Sequence, residues 1–244
     1  MSQQQEKSSK FEAVLFDLDG TLLDSRMDVL LPQYFKRLSA RVIHLMPAQM
    51  FIDHLMRATQ AMVDNDGQET NEAVFADAFY PSLGYPRCEI EPIMNDFYEH
   101  DFPQLQTCTH CIEDARAAVQ SAFACGCRVV IATNPLFPAT AILQRLAWAG
   151  VADFPYTLIT TYEYSRSSKP NLRYYQQILD DIGCSAERSL VVGDEAWDMV
   201  AAKLGCSTFL VTSHATKPDV EALNPTYRGT LADVSALLMP SVLD

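Results

Sequence analysis

No stretch of this chain approaches the roughly eighteen consecutive apolar residues that a membrane-spanning helix needs. Nor is a secretory leader expected: the first ten residues, MSQQQEKSSK, are polar and read as a frayed tail before a folded segment, with no apolar region or cleavage site among them. Positive charge is scarce. Lys and Arg number 18 against 31 Asp and Glu, a net charge of −13, so the field of the whole molecule repels nucleic-acid backbone and anionic lipid. A phosphate-bearing ligand therefore needs local help, and a bound divalent cation supplies it most simply. Only 9 glycines and 13 prolines exclude a low-complexity or fibrous chain. The 7 cysteines are an odd number in a chain too long for a disulfide scaffold, and a reducing cytoplasm is the expected compartment.

What is present is an ordinary globular composition: 48% hydrophobic and 20% charged over 244 residues. At about 150 residues per domain, this length fits one domain with a large insertion, or two small ones. Residues 12–17, EAVLFD, form a short apolar run ending in a carboxylate and followed by Gly20, as for a buried strand entering a turn. The texture changes near residue 27. Leu31, Tyr34, Phe35, Leu38, Val42 and Leu45 recur at intervals of three and four, the stripe of an amphipathic helix, and Phe51, Leu55, Ala58 and Met62 continue it after Pro47. Weaker helical stretches cover 70–79 and 88–99, and no strand is expected between 27 and 105.

From about residue 110 helices and strands alternate: helices at 111–124, 138–149, 171–182 and 196–204, strands at 128–133, 156–160, 189–193 and 207–211. This repetition predicts an α/β fold, a doubly wound and mostly parallel sheet of Rossmann type covered by helices on both faces. The expected organisation is a disordered tail (1–10), a core made of 11–26 and 107–244, and an all-helical insertion at 27–106. In such a sheet ligands sit beyond the carboxyl ends of the strands, at the switch in strand order.

The carboxylates fall at those ends. Asp17 and Asp19 close the first apolar run two residues apart, and Asp194 closes SLVVG with Asp198 one helical turn on. If the strand ends meet, three or four carboxylates face one pocket, which is stable only with protonation or a cation. An all-oxygen set suits a hard ion such as Mg²⁺. Lys169, before Pro170, places an ammonium where the next helix starts, and Thr133 and Asn134 close RVVIA with a hydroxyl and an amide suited to phosphoryl oxygens.

In order and spacing, FDLDGTLLDS (16–25), IATN (131–134), KP (169–170) and VVGDEAWD (191–198) resemble the four motifs of the haloacid dehalogenase superfamily of phosphohydrolases. The resemblance implies a Rossmann-like core with a helical cap that closes over the site, hinged near residues 22–26 and 104–110. It also implies hydrolysis of a small phosphorylated metabolite through an aspartyl-phosphate. Asp17 would be the nucleophile, Asp19 the general acid and base, Thr133 the residue that orients the phosphoryl group with Asn134, and Lys169 the neutralising cation. Asp17, the carbonyl of Asp19, and Asp194 would hold Mg²⁺, with Asp198 in or behind the ligand sphere. The dehalogenases of this superfamily lack an acid at the position of Asp19, which disfavours carbon–halogen chemistry here. Thr21 after Gly20 is usual in its phosphatases, whereas Glu195 stands where a small hydroxyl residue often does. A phosphomutase, and a non-catalytic binding protein that keeps the fold, are the alternatives. A homodimer is left open.

Weaker signals have simpler readings. Cys108 and Cys111 form a CxxC around His110, but no second ligand pair follows at zinc-site spacing, so ordinary thiols near a linker are expected. Met46, Met50, Met56 and Met62 with Phe51 have the spacing of packing between helices. Arg57, Asn71 and Arg87 are polar residues of the insertion that could reach a substrate.

Overall fold

The computed structural model describes residues 10–212 and 224–239; most of the expected N-terminal tail lies outside them. The first strand, β1 (Ala13–Phe16), is fully buried and lies at the centre of a six-stranded sheet. Its neighbours are β4 (Arg128–Ile131) on one side and β6 (Ser189–Gly193) on the other; β5 (Leu158–Ile159) lies beyond β4, and β7 (Ser207–Val211) and β8 (Tyr227–Gly229) lie beyond β6. Every pairing is parallel. Successive side chains of a strand point to opposite faces, and this chain uses both. Val14, Phe16, Val129, Ile131, Leu190 and Val192 pack on the layer formed by α5 (Ala115–Ala124), α6 (Ala139–Trp148) and α9 (Leu231–Leu238). Ala13, Leu15, Val130 and Val191 pack on α7 (Leu172–Ile182). The continuous apolar runs of the sequence thus reflect strands covered on two sides.

The predicted elements of this half are present, with trimmed ends. The strand expected at 156–160 is only two residues long, and the helix expected at 196–204 is an α-turn, α8 (Ala196–Met199), that tightens into 3₁₀ geometry over Val200–Leu204. β8 and α9 were not anticipated. Their signal is a capping box, in which the Thr230 hydroxyl accepts from the Asp233 amide and the Asp233 carboxylate from the Thr230 amide, ahead of the stripe Leu231, Val234, Leu238.

Between β2 (Leu23–Asp24) and β3 (His110–Cys111), which pair antiparallel, the described residues form helices and turns only. These are α1 (Met27–Arg41), α2 (Ala48–Val63), α3 (Asn71–Phe79) and α4 (Arg87–Asp96), the last running into a π-turn and a 3₁₀ turn that end at Cys108. The module packs on an aromatic interior, with Phe51 edge-on to Phe79 at 5.7 Å and Phe75 stacked on Phe79 at 4.8 Å. Burying each such side chain contributes about 1.5–3 kcal/mol. The methionines divide: Met46 and Met62 are buried with Phe51, whereas Met50 and Met56 are exposed.

Two seams join the module to the sheet. One is aromatic: Phe102 stacks on Trp148 of α6 at 5.4 Å and Tyr34 meets Phe137 edge-on at 5.7 Å. The other is polar. Asn71, fully buried at the start of α3, donates from its amide to the carbonyls of Pro135 (3.1 Å) and Ser167 (3.3 Å), while its own carbonyl accepts from Asn65 (2.8 Å). The backbone amides of Asn71 and Glu72 reach the carbonyls of Ser165 and Tyr162, both at 2.8 Å. No described helix is long and apolar enough to cross a membrane.

Candidate active site

The switch in strand order lies at β1, because the chain first adds β4 and β5 on one side and then crosses to place β6, β7 and β8 on the other. The carboxyl ends of β1, β4 and β6 therefore converge. Asp17 follows β1, its backbone amide bonded to the Val192 carbonyl of β6 (2.9 Å). Thr133 and Asn134 follow β4, Asp194 follows β6, and Lys169 enters from the loop after β5.

Lys169 is the centre of the arrangement. Its ammonium donates to Asp17 Oδ1 (2.6 Å) and Asp198 Oδ1 (2.5 Å), and the three side chains are 1%, 7% and 0% exposed. Asp198 is further bound by the Glu195 amide on Oδ2 (3.2 Å) and by Tyr175 Oη on Oδ1 (3.4 Å). Asp194 accepts from Thr21 Oγ1 (3.1 Å). One oxygen from each of Asp17, Asp194 and Asp198 lies within 4.8 Å of the others.

This closeness depends on two glycines. Gly20 has φ +90°, and a Cβ there would stand 2.2 Å from Asp194 Oδ2; a Cβ on Gly193 would stand 2.3 Å from the Asp198 carboxylate. Any other residue displaces the carboxylates from one another.

Three carboxylates against one ammonium leave surplus negative charge in a largely buried cluster. Burial pushes the Asp17 carboxyl well above its ordinary range, Lys169 opposes this, and Asp198 and Asp194 add to it. Asp194 is pushed up to about 7, first by burial and then by Asp198, with the Thr21 hydrogen bond acting the other way. Burial alone would lower Lys169, but Asp17 and Asp198 outweigh it and hold the ammonium above its usual range. A hard divalent cation relieves this excess, and the all-oxygen donor set fits one. Asp17 and Asp194 are the side chains best placed to hold it, since both oxygens of Asp198 already accept hydrogen bonds.

Asp19 does not join this cluster through its side chain. Its Oδ1 accepts from Ser25 Oγ and its Oδ2 from the guanidinium of Arg145, which is buried and stacked at 4.7 Å over Phe137. Neither partner was singled out in the sequence. Ser25 closes the first motif, and Arg145 betrays itself as a charge on the apolar stripe of α6, between Ile142 and Leu146. The Thr133 carbonyl is pinned by Thr160 Oγ1 and Tyr174 Oη, both at 2.8 Å, and Asn134 Oδ1 accepts from the Lys169 amide (3.2 Å).

A cavity of about 840 Å³ has Asp17, Asp19, Thr133 and Asn134 on one side and the helical module on the other. Of the three polar residues singled out there, Arg57 bonds to His54 at the surface, Asn71 is the buried seam residue, and Arg87 stacks on Tyr80 and pairs with Glu91. All seven cysteines are free; Cys111 donates to the Trp148 carbonyl rather than to Cys108.

Comparison with known proteins agrees with this architecture. The chain is 28% identical over 208 residues to the N-acetylmuramic acid 6-phosphate phosphatase of Pseudomonas aeruginosa, covering 81% of this chain and 79% of that one. Among solved structures, a 2-haloacid dehalogenase from Pseudomonas syringae pv. Tomato superposes with a TM-score of 0.65 at 17% identity, over 93% of this chain and 98% of that one. A HAD phosphatase from Thermococcus onnurineus superposes at 0.58 and 17%, over 93% and 97%. These two likenesses speak to the fold alone. Residues 11–205 match the model of the haloacid dehalogenase-like hydrolases, and this chain belongs to that family.

Proposed function

We propose that the protein is a Mg²⁺-dependent phosphatase that hydrolyses a small phosphomonoester through an aspartyl-phosphate on Asp17. The observation that carries the reading is the junction of Asp17, Lys169, Asp194 and Asp198 at the strand ends, with Asp19 held separately beside them. The curated phosphatase relative supports it. Asp17, Asp194 and the carbonyl of Asp19 would hold Mg²⁺, whose charge would offset that of the phosphoryl oxygens and the attacking carboxylate.

In this mechanism the Asp17 carboxylate attacks phosphorus while the bond to the leaving oxygen breaks, and Asp19 gives that oxygen a proton. Asp19 then takes a proton from the water that attacks the phosphoaspartate, and phosphate leaves. Lys169 neutralises Asp17 and the incoming phosphate, with Asp198 holding the ammonium in place. Thr133 and Asn134 orient the phosphoryl group. Arg145 and Ser25 aim Asp19 and act through it. Asp19 also separates this site from dehalogenation, which needs no acid for an oxygen leaving group. The helical module is the cap of this site, and the free thiols fit a reducing cytoplasm.

Phosphate release from a panel of phosphomonoesters, with and without Mg²⁺, tests the proposal alongside Asp17→Asn. The variant should keep its circular dichroism and lose at least about a thousandfold in turnover. Turnover in Asp17→Asn comparable to wild type would overturn the reading, and transfer of phosphate without release would indicate a mutase.

A further inference from the structure

The cavity beside the strand ends carries information about the part of the substrate that is not phosphate. At about 840 Å³ it has room for a leaving group much larger than the phosphoryl group itself. Its walls are aromatic and aliphatic, with Tyr34 and Phe35 from α1, Phe75 from α3, and Tyr80, Tyr98 and Tyr162 around them. The charged residues lining it, all acidic, are Asp17 and Asp19 plus five glutamates; among the described residues no lysine, arginine or histidine lines it.

The neighbouring cations are already matched. Lys169 is bound to Asp17 and Asp198, Arg145 to Asp19, and Arg87 to Glu91 while it lies 5.1 Å over the Tyr80 ring. Three of the glutamates have partners as well: Glu91 has Arg87, Glu163 accepts from the Ala139 amide (2.9 Å), and Glu195 caps α8. Glu99 is exposed to solvent at the rim. Glu72 differs from all four. Its backbone amide is tied to the Tyr162 carbonyl (2.8 Å), which fixes it in the first turn of α3, but its half-buried carboxylate has no hydrogen-bond or ion-pair partner among the described residues. Its charge is felt at Tyr80 and Tyr162, and at the Arg87 guanidinium, whose direct partner is Glu91.

A carboxylate set among tyrosine faces favours an ammonium group twice over, by ion pairing and by attraction to the ring quadrupoles. The same wall offers an incoming carboxylate or second phosphate only repulsion, while tyrosine hydroxyls and the side chains of Thr59, Asn95 and Thr140 suit neutral hydroxyls. We infer that the substrate is a phosphomonoester whose leaving alcohol has a hydrophobic or aromatic body and carries positive charge or none, with Glu72 receiving the ammonium group. This inference rests on the phosphatase reading and adds the substrate class to it. It also sets the chain apart from its curated relative, whose named substrate is an acid.

Three aryl phosphates of matched size test it: the O-phosphates of tyramine, tyrosol and 4-hydroxyphenylacetic acid, which end in an ammonium, a hydroxyl and a carboxylate. With Mg²⁺ and wild-type protein, kcat/KM should fall in that order, with at least about tenfold between the first and the last. Glu72→Gln should shrink that ratio to about twofold, as expected when one charge sets it. Hydrolysis of the carboxylate compound as fast as the ammonium compound overturns the inference, and so does a ratio that survives Glu72→Gln. If 4-nitrophenyl phosphate is hydrolysed while the series shows no order, only the substrate class falls. If 4-nitrophenyl phosphate and all three are inert, the phosphatase reading falls and this inference with it.

Discussion

The two sides of the cavity are built on opposite electrostatic plans. On the sheet side each charge has a specific partner: Lys169 bridges Asp17 and Asp198, the Glu195 amide also holds Asp198, Thr21 holds Asp194, and Arg145 holds Asp19. On the helical side the wall is mainly aromatic, and the Glu72 carboxylate has no hydrogen-bond or ion-pair partner among the described residues. A charge that must act in every turnover is held in place, whereas a wall that must accept a particular molecule keeps its capacity free. The same split explains the distances over which each side is assembled. Hydrogen bonds of 2.5–3.2 Å fix the aspartates, while ring contacts of 4.8–5.7 Å tolerate exchange of one aromatic for another.

The sharpest way to break the sheet side is Lys169→Met. It leaves buried carboxylates without their cation, so stability measured by urea unfolding should fall by about 3–5 kcal/mol and phosphate release by about a thousandfold. Mg²⁺ should restore part of the stability and little of the activity. Next comes Arg145→Met, expected to lower kcat by about a hundredfold and to change KM much less, because Arg145 binds Asp19 directly and reaches the cavity wall only through Phe137. Because Arg145 acts through Asp19, Arg145→Met should add little to the loss caused by Asp19→Asn, and Arg145→Lys should recover part of kcat. Additive losses in the double variant would make Arg145 a packing residue.

Asn71→Ala probes the seam between the two sides. Losing its hydrogen bonds to Pro135 and Ser167 should cost about 1–3 kcal/mol and raise KM more than it lowers kcat. Faster amide exchange should appear in α3 and in residues 162–169, with the sheet protected as before. The smallest effect concerns pH. Asp194, held near about 7 in the folded protein, binds its proton more tightly than an unfolded carboxylate does. Its contribution to stability is therefore fully present below the ordinary carboxylate range and is lost as pH rises through about 7. Mg²⁺ binds the deprotonated form, so the rise in melting temperature it produces should be larger at about pH 8 than at about pH 5. An equal rise at both values would separate metal binding from Asp194.

The sheet side was far more legible in the sequence than the helical side, for a physical reason. The carboxylates proposed as catalytic follow short buried strands, and the strand, the glycine that admits close approach and the acid all fall within a few residues, as in residues 16–20 and 191–194. Arg145 and Ser25 escaped because their meaning lies in a contact across the fold rather than in a local pattern. In the module, helical periodicity marked Phe51 and Met62 as interior but could not separate them from Met56, which faces the cavity. Nor could it show that Asn71, a polar residue at a helix start, is buried between elements far apart in sequence. β8 and α9 lie beyond the four motifs, where only the capping box at Thr230 announced structure.

The small ribbon in which Leu23–Asp24 pairs with His110–Cys111 has an architectural consequence. The chain leaves the sheet and returns to it at the same place, so the segment between the crossings is a closed loop whose ends are already stitched together. Lengthening such a loop costs little chain entropy, since the penalty grows only with the logarithm of its length. The core can in principle carry inserts of very different size at this point without disturbing its aspartates. What restrains such exchange in this protein is Trp148 and Phe137, apolar surfaces of the core that the present insert covers and that any replacement must cover again.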